Sequence, residues 1–186
     1  MIRMTSRLCQ RFLQPSCRSY PVPGEAAHWV ASLFKELCPI HLTGNVKLGH
    51  LHKIGKMTYP LLVDGTLDAI GIEFFAPVWV RGQSIFYNSY FHDCVSTTGP
   101  TNLRKCQAME LIYLSTRLNL ENSQIDTIVV DSGTTDTERP RVELHDSSIC
   151  TIQVLSPCLK GRLLVSPNSH IWKDTRNIEI LRNETT

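Results

Sequence analysis

The spacing of apolar residues changes along this chain, and that change limits the folds open to it. Between Glu25 and Cys38 the apolar side chains recur every three to four residues, which is typical of an amphipathic α-helix. Pro39 ends this pattern. From residue 58 onward, short apolar runs bounded by glycine, proline and aspartate predict β-strands. The sequence therefore predicts an α+β protein.

The first part of the chain is predicted to follow the order α-β-β-β-α. After the helix, strands are expected over 58–63, 69–80 and 84–91, with turns at Asp64-Gly65 and Arg81-Gly82. A second helix is predicted from Gly99-Pro100 to Leu118, because Ala108, Leu111, Ile112, Ser115 and Leu118 follow a helical period. We expect both helices to pack on one face of an antiparallel sheet.

The remainder of the chain returns to the period of a β-strand. Short strands separated by polar and glycine-containing segments predict a β-rich C-terminal region, with 132–140 as a loop. Nothing is seen to recur at the period of a solenoid. The predicted organisation is a leader over 1–20, an α-β-β-β-α domain over 21–120, and the β-rich region over 121–186. The strands predicted in that last region are 125–131, 141–145, 149–155, 162–165 and 178–181.

The first twenty residues form a basic segment without a carboxylate. They hold Arg3, Arg7, Arg11 and Arg18, with apolar and hydroxyl residues between them. On a helix this spacing makes a basic, amphipathic strip, which resembles a mitochondrial targeting presequence. We therefore predict import into the mitochondrial matrix, with the fold beginning near residue 21.

Composition narrows the functional classes. Beyond residue 20 the chain carries 15 basic and 17 acidic side chains, so binding to a polyanion would need a local basic face. No apolar run reaches the ~18–20 residues of a membrane helix, and no membrane span is expected. The seven cysteines include no C-x-x-C pair, which favours free thiols. No metal site, cofactor or catalytic residue is predicted.

Residues 25–119 share their predicted element order with the double-stranded-RNA-binding domain and resemble that family. In that family the second helix opens with lysines that lie across phosphates, and residues 101–108 are the matching stretch here. The resemblance implies the family's fold, RNA as a partner, and contacts from Arg104 and Lys105. The family's G-P-x-H loop has no counterpart in this sequence.

A second basic stretch covers residues 41–56. It contains Lys47, Lys53 and Lys56, three histidines, three glycines and no acid. A basic, glycine-containing loop suits contacts to phosphates that fix position without recognising sequence. The predicted RNA-binding residues are therefore Lys47, Lys53, Lys56, Arg104 and Lys105.

Asp131 supports a different hypothesis. It follows an apolar strand and opens the sequence Asp-Ser-Gly-Thr, which resembles the active-site segment of aspartic proteases. That chemistry needs two aspartates that share a proton. Because the chain has one such motif, a protease of this kind would have to form a dimer.

Together these observations predict a non-catalytic matrix protein that is an RNA-binding or structural subunit of a ribonucleoprotein assembly. The mitochondrial ribosome and an RNA-processing or editing complex are assemblies of this class. One alternative is an interaction or assembly subunit of a respiratory-chain complex that contacts other protein subunits without RNA. A second alternative is a dimeric, aspartic-protease-like hydrolase that uses Asp131.

Overall fold

The computed structural model describes residues 26–49, 52–115, 117–131, 140–155 and 161–182. Within these residues the chain forms one helix, α1 (Ala26–Leu37), and sixteen strands. The strands are β1 (Ile40–Gly49), β2 (Gly55–Met57), β3 (Leu61–Ile70), β4 (Ile72–Phe74), β5 (Val78–Arg81), β6 (Ser84–Tyr87), β7 (Tyr90–Thr97), β8 (Thr101–Arg104), β9 (Gln107–Tyr113), β10 (Arg117–Glu121), β11 (Gln124–Val130), β12 (Arg141–His145), β13 (Ser148–Val154), β14 (Gly161–Val165), β15 (His170–Arg176) and β16 (Ile178–Arg182).

The strands pair in parallel, and each turn of the chain stacks on the turn before it. Ser84 lies beside Thr101, and Thr101 lies beside Leu118, so one turn takes 17 residues. A longer turn of 24 residues separates Leu118 from Val142. This is a parallel β-solenoid. We call each turn a coil, and we call the residues that stack in register from coil to coil a column.

The corners of the coils explain why the chain can turn at a regular interval. Asn88, Lys105 and Asn122 have φ angles of 49°, 55° and 49°, and they are spaced by 17 residues. Asparagine adopts this left-handed conformation more readily than most residues. At another corner Gly82 has a φ of 155°, and a Cβ there would lie 2.0 Å from the Gly65 carbonyl oxygen. Only glycine fits that stacked position.

A buried column of hydroxyl and thiol groups follows the first of these corners. The Ser123 Oγ accepts a hydrogen bond from the Cys106 amide at 3.0 Å, and the Ser147 Oγ accepts one from the Ser123 amide at 3.0 Å. The Cys106 Sγ in turn donates to the Phe86 carbonyl oxygen. Burial raises the pKa of the Cys106 thiol to about 11. The column therefore satisfies backbone groups that would otherwise be buried without partners.

The interior of the solenoid is filled by apolar columns. One of them contains Ala69, Phe86, Leu103, Leu120, Leu144 and Val165, all buried. Helix α1 lies outside this core, along one flank of the solenoid. Its Phe34 ring lies 5.5 Å from the Trp79 ring, and Ala26 and Val30 share a second apolar cluster with Ile112.

The structure corrects the predicted fold. The protein is mostly β, with parallel strands, instead of an α+β protein with helices on an antiparallel sheet. The resemblance of residues 25–119 to the double-stranded-RNA-binding domain is wrong for the same reason. The helix predicted over 25–38 is confirmed as α1, but the second predicted helix is wrong, because β8, β9 and the first two residues of β10 occupy its residues.

Several predicted strands and turns are found at the predicted positions, but they belong to coils of a solenoid. The strands predicted near 125–131, 141–145, 149–155, 162–165 and 178–181 are confirmed within a residue or two. Asp64-Gly65 and Arg81-Gly82 are corners of coils instead of hairpin turns. The boundary predicted between residues 120 and 121 falls at the end of β10, inside the continuous sheet. Residues 1–20 and 132–139 lie outside the described residues.

Among the described residues, no helix is long and apolar enough to cross a membrane.

Candidate functional site

The described sheet ends in two pairs of edge strands. At one end, β1 pairs only with β3 and β2 pairs only with β4; we call this end the N-terminal edge. At the other end, β15 and β16 each have one neighbour, and we call this the C-terminal edge. An unpaired strand edge presents N–H and C=O groups that can pair with another strand. Both edges are therefore candidate interaction sites.

Strand β1 gives the N-terminal edge an apolar inner side. Ile40, Leu42, Val46 and Leu48 extend the interior columns of the solenoid by one coil. No described coil covers them from the other side. Ile40 is 42% exposed, and the other three are partly buried against the core. The N-terminal edge therefore leaves part of the hydrophobic core uncovered.

The C-terminal edge ends the same columns with different residues. The column of Ile40 ends in Thr175, and the column of Leu48 ends in Arg182. Asn177 follows β15 and donates a hydrogen bond from its Nδ2 to the Val154 carbonyl oxygen at 3.3 Å. The column of Val46 ends in Ile180, and Ile171 and Ile178 of the same edge pack against the core. This edge therefore mixes polar and apolar endings, so it faces water at less cost than β1, whose four inner side chains are all apolar.

Charges at the N-terminal edge are balanced within the chain. The His41 Nε2 lies 2.6 Å from an Asp64 oxygen, and the Arg81 guanidinium also binds that carboxylate. The bond from Arg81 lowers the pKa of Asp64 below its ordinary value. Beyond the Gly44 corner of β1, Lys47 lies in register with Asp68. The edge therefore combines an apolar inner side with an outer side whose cations have carboxylates beside them.

The predicted RNA-binding residues are spread over several coils. Lys47 belongs to β1 and Lys56 to β2, and Lys53 lies in the segment between them. Arg104 ends β8, and Lys105 occupies the corner after it. The fold does not bring these five cations into one compact cluster.

Carboxylates lie beside several of these cations. Lys56 is in register with Glu73, and an Arg104 nitrogen lies 3.0 Å from a Glu121 oxygen. Arg104 and Lys105 both lie over the Tyr87 ring, 6.0 and 5.6 Å from its centroid. Direct RNA contact by the five cations stays a prediction, and these carboxylates weaken the local positive potential on which it depends.

Asp131 lies beneath the start of α1. Its carboxylate is buried, and its Oδ2 accepts a hydrogen bond from the Ala26 amide at 3.0 Å. A carboxylate at this position satisfies one free N–H of the first helical turn and interacts favourably with the helix dipole. The geometry gives Asp131 a structural role. The rest of the Asp-Ser-Gly-Thr motif lies outside the described residues.

A polar groove of about 450 Å³ follows the corner that contains Lys105 and Asn122. Its walls carry amide, hydroxyl and aromatic side chains, including Gln107, Gln124 and the 70% exposed Trp172. Across the described residues, no group of three histidine, cysteine, aspartate or glutamate side chains is arranged to hold a metal ion.

Comparisons with known proteins add no family to this description. No family model matches the sequence, and neither the curated proteins nor the solved structures contain a significant match to the chain.

Proposed function

We propose that this chain is a non-catalytic structural protein that acts as a subunit of a larger assembly. The observation that carries the proposal is the N-terminal edge, where a ten-residue strand and four core side chains lack a covering coil in the described structure. The partner it fits is a protein strand with an apolar inner side. Pairing with such a strand would satisfy the open backbone groups and bury the apolar side chains in one step.

The difference between the two edges supports a specific partner at one edge over nonspecific association of exposed apolar residues. A solenoid that works alone needs polar residues at both ends. Here Thr175 and Arg182 supply them in the columns that Ile40 and Leu48 begin, beside the apolar Ile171, Ile178 and Ile180, whereas all four inner side chains of β1 are apolar. The apolar end is therefore the one that a partner is expected to cover.

The compartment and the RNA remain predictions of the sequence. The basic leader supports the mitochondrial matrix as the place of this assembly. The proposal itself does not need RNA, because strand pairing at the N-terminal edge is a contact between proteins.

The test compares two variants that place the same charge at opposite ends of one column. Tagged chains carrying Val46→Lys or Ile180→Lys are expressed in cells, and the native size of each is measured by sedimentation of a ribonuclease-treated extract. We expect the wild-type chain and Ile180→Lys to sediment above the size of a monomer, and Val46→Lys to sediment as a smaller species. A wild-type chain that sediments as a monomer, or a Val46→Lys chain that keeps the wild-type size, would contradict the proposal. Collapse of the assembly on ribonuclease treatment would show instead that RNA holds it together.

A further inference from the structure

We propose that the partner covering the N-terminal edge is a second copy of this chain, paired through β1 about a two-fold axis at Gly44. This inference rests on the proposed function and names its partner. It follows from the order of residues in β1, from the directions of its amides, and from the polar residues Thr175 and Arg182 that end two of its columns at the C-terminal edge.

The apolar residues of β1 are arranged symmetrically about one glycine. Leu42 and Val46 stand two residues from Gly44, and Ile40 and Leu48 stand four residues from it. Gly44 has a φ of 83° and forms the corner between the two arms of β1. A strand with this pattern is complementary to itself when it is reversed.

Reversal about Gly44 places the two arms on each other in antiparallel pairs. Ile40 then faces Leu48 of the second copy, and Leu42 faces Val46 of the second copy. Directly opposed residues of antiparallel strands point to the same side of the sheet, so all four side chains stay on the inner side. The two cores would join across the interface without a polar residue between them.

The backbone supports the same pairing. Ile40 donates its amide to the Pro60 carbonyl oxygen, and Leu67, in the column of Val46, donates to Gln83 in the next coil. Alternate residues of a parallel strand bond to opposite neighbours. The residues of β1 that alternate with Ile40 and with Val46 therefore direct their amide N–H groups toward the open side. They are His41, Thr43, Asn45 and Lys47. In the reversed arrangement His41 pairs with Lys47 and Thr43 with Asn45, so the open amides meet each other.

Space and charge at the corner are compatible with a close approach. Among the described residues, nothing lies within 4 Å of the position a Cβ would take on Gly44. The opposed pair of His41 and Lys47 brings two basic side chains near each other, but each has an aspartate of its own chain beside it. These aspartates are Asp64 and Asp68.

Stacking the C-terminal edge of one copy on the N-terminal edge of another fits less well. Continuing the columns in register would match Ile180 to Val46, but it would place Thr175 on Ile40 and Arg182 on Leu48. Asn177, which follows Arg176, would meet Leu42. Burying polar groups against apolar ones without partners is unfavourable. The two-fold arrangement is closed, so it predicts a dimer instead of an open filament.

The first measurement is the self-association of purified full-length chain by sedimentation equilibrium. We expect a dimer whose dissociation constant rises at least about tenfold in Val46→Lys and changes little in Ile180→Lys. A wild-type chain that stays monomeric at every concentration contradicts the inference.

Cross-linking tests the arrangement without relying on the stability of Val46→Lys. In a Cys38→Ser background, chains carrying Thr43→Cys are mixed with chains carrying Asn45→Cys and treated with a short thiol cross-linker, and the linked peptides are identified by mass spectrometry. The two-fold arrangement predicts a link between positions 43 and 45. In a parallel mixture of Asn45→Cys with Glu179→Cys, a dominant link between positions 45 and 179 would show head-to-tail stacking and overturn the two-fold arrangement.

The two proposals can fail separately. If the purified chain is monomeric but Val46→Lys still removes it from the assembly in extracts, a different protein occupies the edge and the proposed function stands. If Val46→Lys changes neither the self-association of the purified chain nor its native size in extracts, the proposed function and the two-fold dimer are both wrong.

Discussion

The N-terminal and C-terminal edges of this solenoid end the same columns, in part with residues of different chemistry. Val46 and Ile180 close one column with apolar residues at both ends, but Leu48 and Arg182 close the neighbouring column with an apolar residue at one end and a cation at the other. The backbone arrangement is alike at the two edges, because each consists of parallel strands with one neighbour. The difference in exposure to water that each edge tolerates therefore comes from its side chains and not from its backbone.

The largest expected effect compares the interior with the N-terminal edge in a single column. Leu120 is fully buried in the column that Leu48 begins. We expect Leu120→Ala to lower the free energy of unfolding by about 3 kcal/mol, since it leaves a cavity that neighbouring coils cannot fill. Leu48→Ala should cost about 1 kcal/mol in dilute protein, because its side chain is already partly exposed.

Protein concentration sharpens this comparison. If a second copy covers the N-terminal edge, the cost of Leu48→Ala in chemical denaturation should grow as the protein concentration is raised, whereas that of Leu120→Ala should stay constant. A cost of Leu48→Ala that is the same at all concentrations would mean that nothing from another molecule covers Leu48.

Alkaline pH acts on the interior of the solenoid through the buried Cys106 thiol. The unfolded Cys106 thiol loses its proton near pH 9, but the folded one keeps it to about pH 11. Between these values the unfolded state binds fewer protons, so stability falls as the pH rises, by about 3 kcal/mol in all. Tyr113, whose pKa burial raises to about 12, extends the loss to higher pH.

Cys106→Ser provides the control for this pH dependence. Ser89 and Ser123 occupy the same column one coil away on either side, so a serine hydroxyl can take the place of the thiol. Denaturation curves measured from pH 8 to pH 11 should be flatter for the variant than for the wild-type chain. Equal slopes would show that the thiol is not protected from ionisation in the folded state.

The sequence predicts individual elements of this fold better than their arrangement. Helix α1 is predictable because its apolar face repeats every three to four residues and Pro39 ends it. The antiparallel sheet is a wrong prediction, because alternation along a strand does not specify the direction of its neighbour. The second helix is wrong because Ala108, Leu111 and Ile112 also fit a helical period, although the positive φ of Lys105 interrupts it.

A signal for the solenoid is nevertheless present in the sequence. Gly65, Gly82 and Gly99 are spaced by 17 residues, as are Asn88, Lys105 and Asn122 at another corner. The repeat is hard to recognise because its residue types vary, with lysine in place of asparagine and Cys106 in place of serine. The carboxylates beside the predicted RNA-binding cations are equally hidden, because Glu73 is distant from Lys56 in sequence and adjacent only through the register.

The smallest expected effect concerns the hydrogen bond that holds the start of α1 against the solenoid. Asp131 accepts the hydrogen bond of the Ala26 amide, and Asp131→Ala should cost about 1 kcal/mol by removing this cap. Asp131→Asn keeps an oxygen that can accept from the Ala26 amide and loses the charge that favours the helix N-terminus, so it should cost less. Because α1 leads directly into β1, loosening the helix should disturb the N-terminal edge before it disturbs the C-terminal one.

Hydrogen exchange followed by mass spectrometry separates these regions. Peptides from α1 and β1 should exchange faster in Asp131→Ala, whereas peptides from β15 and β16 should exchange as in the wild-type chain. Faster exchange over all coils would mean that Asp131 supports the solenoid itself instead of the helix. The same variants address the hydrolase alternative: cleavage of unfolded polypeptide at acidic pH that disappears in Asp131→Asn would give the carboxylate a catalytic role. A purified chain without such cleavage leaves the cap as the reason for an aspartate beneath α1.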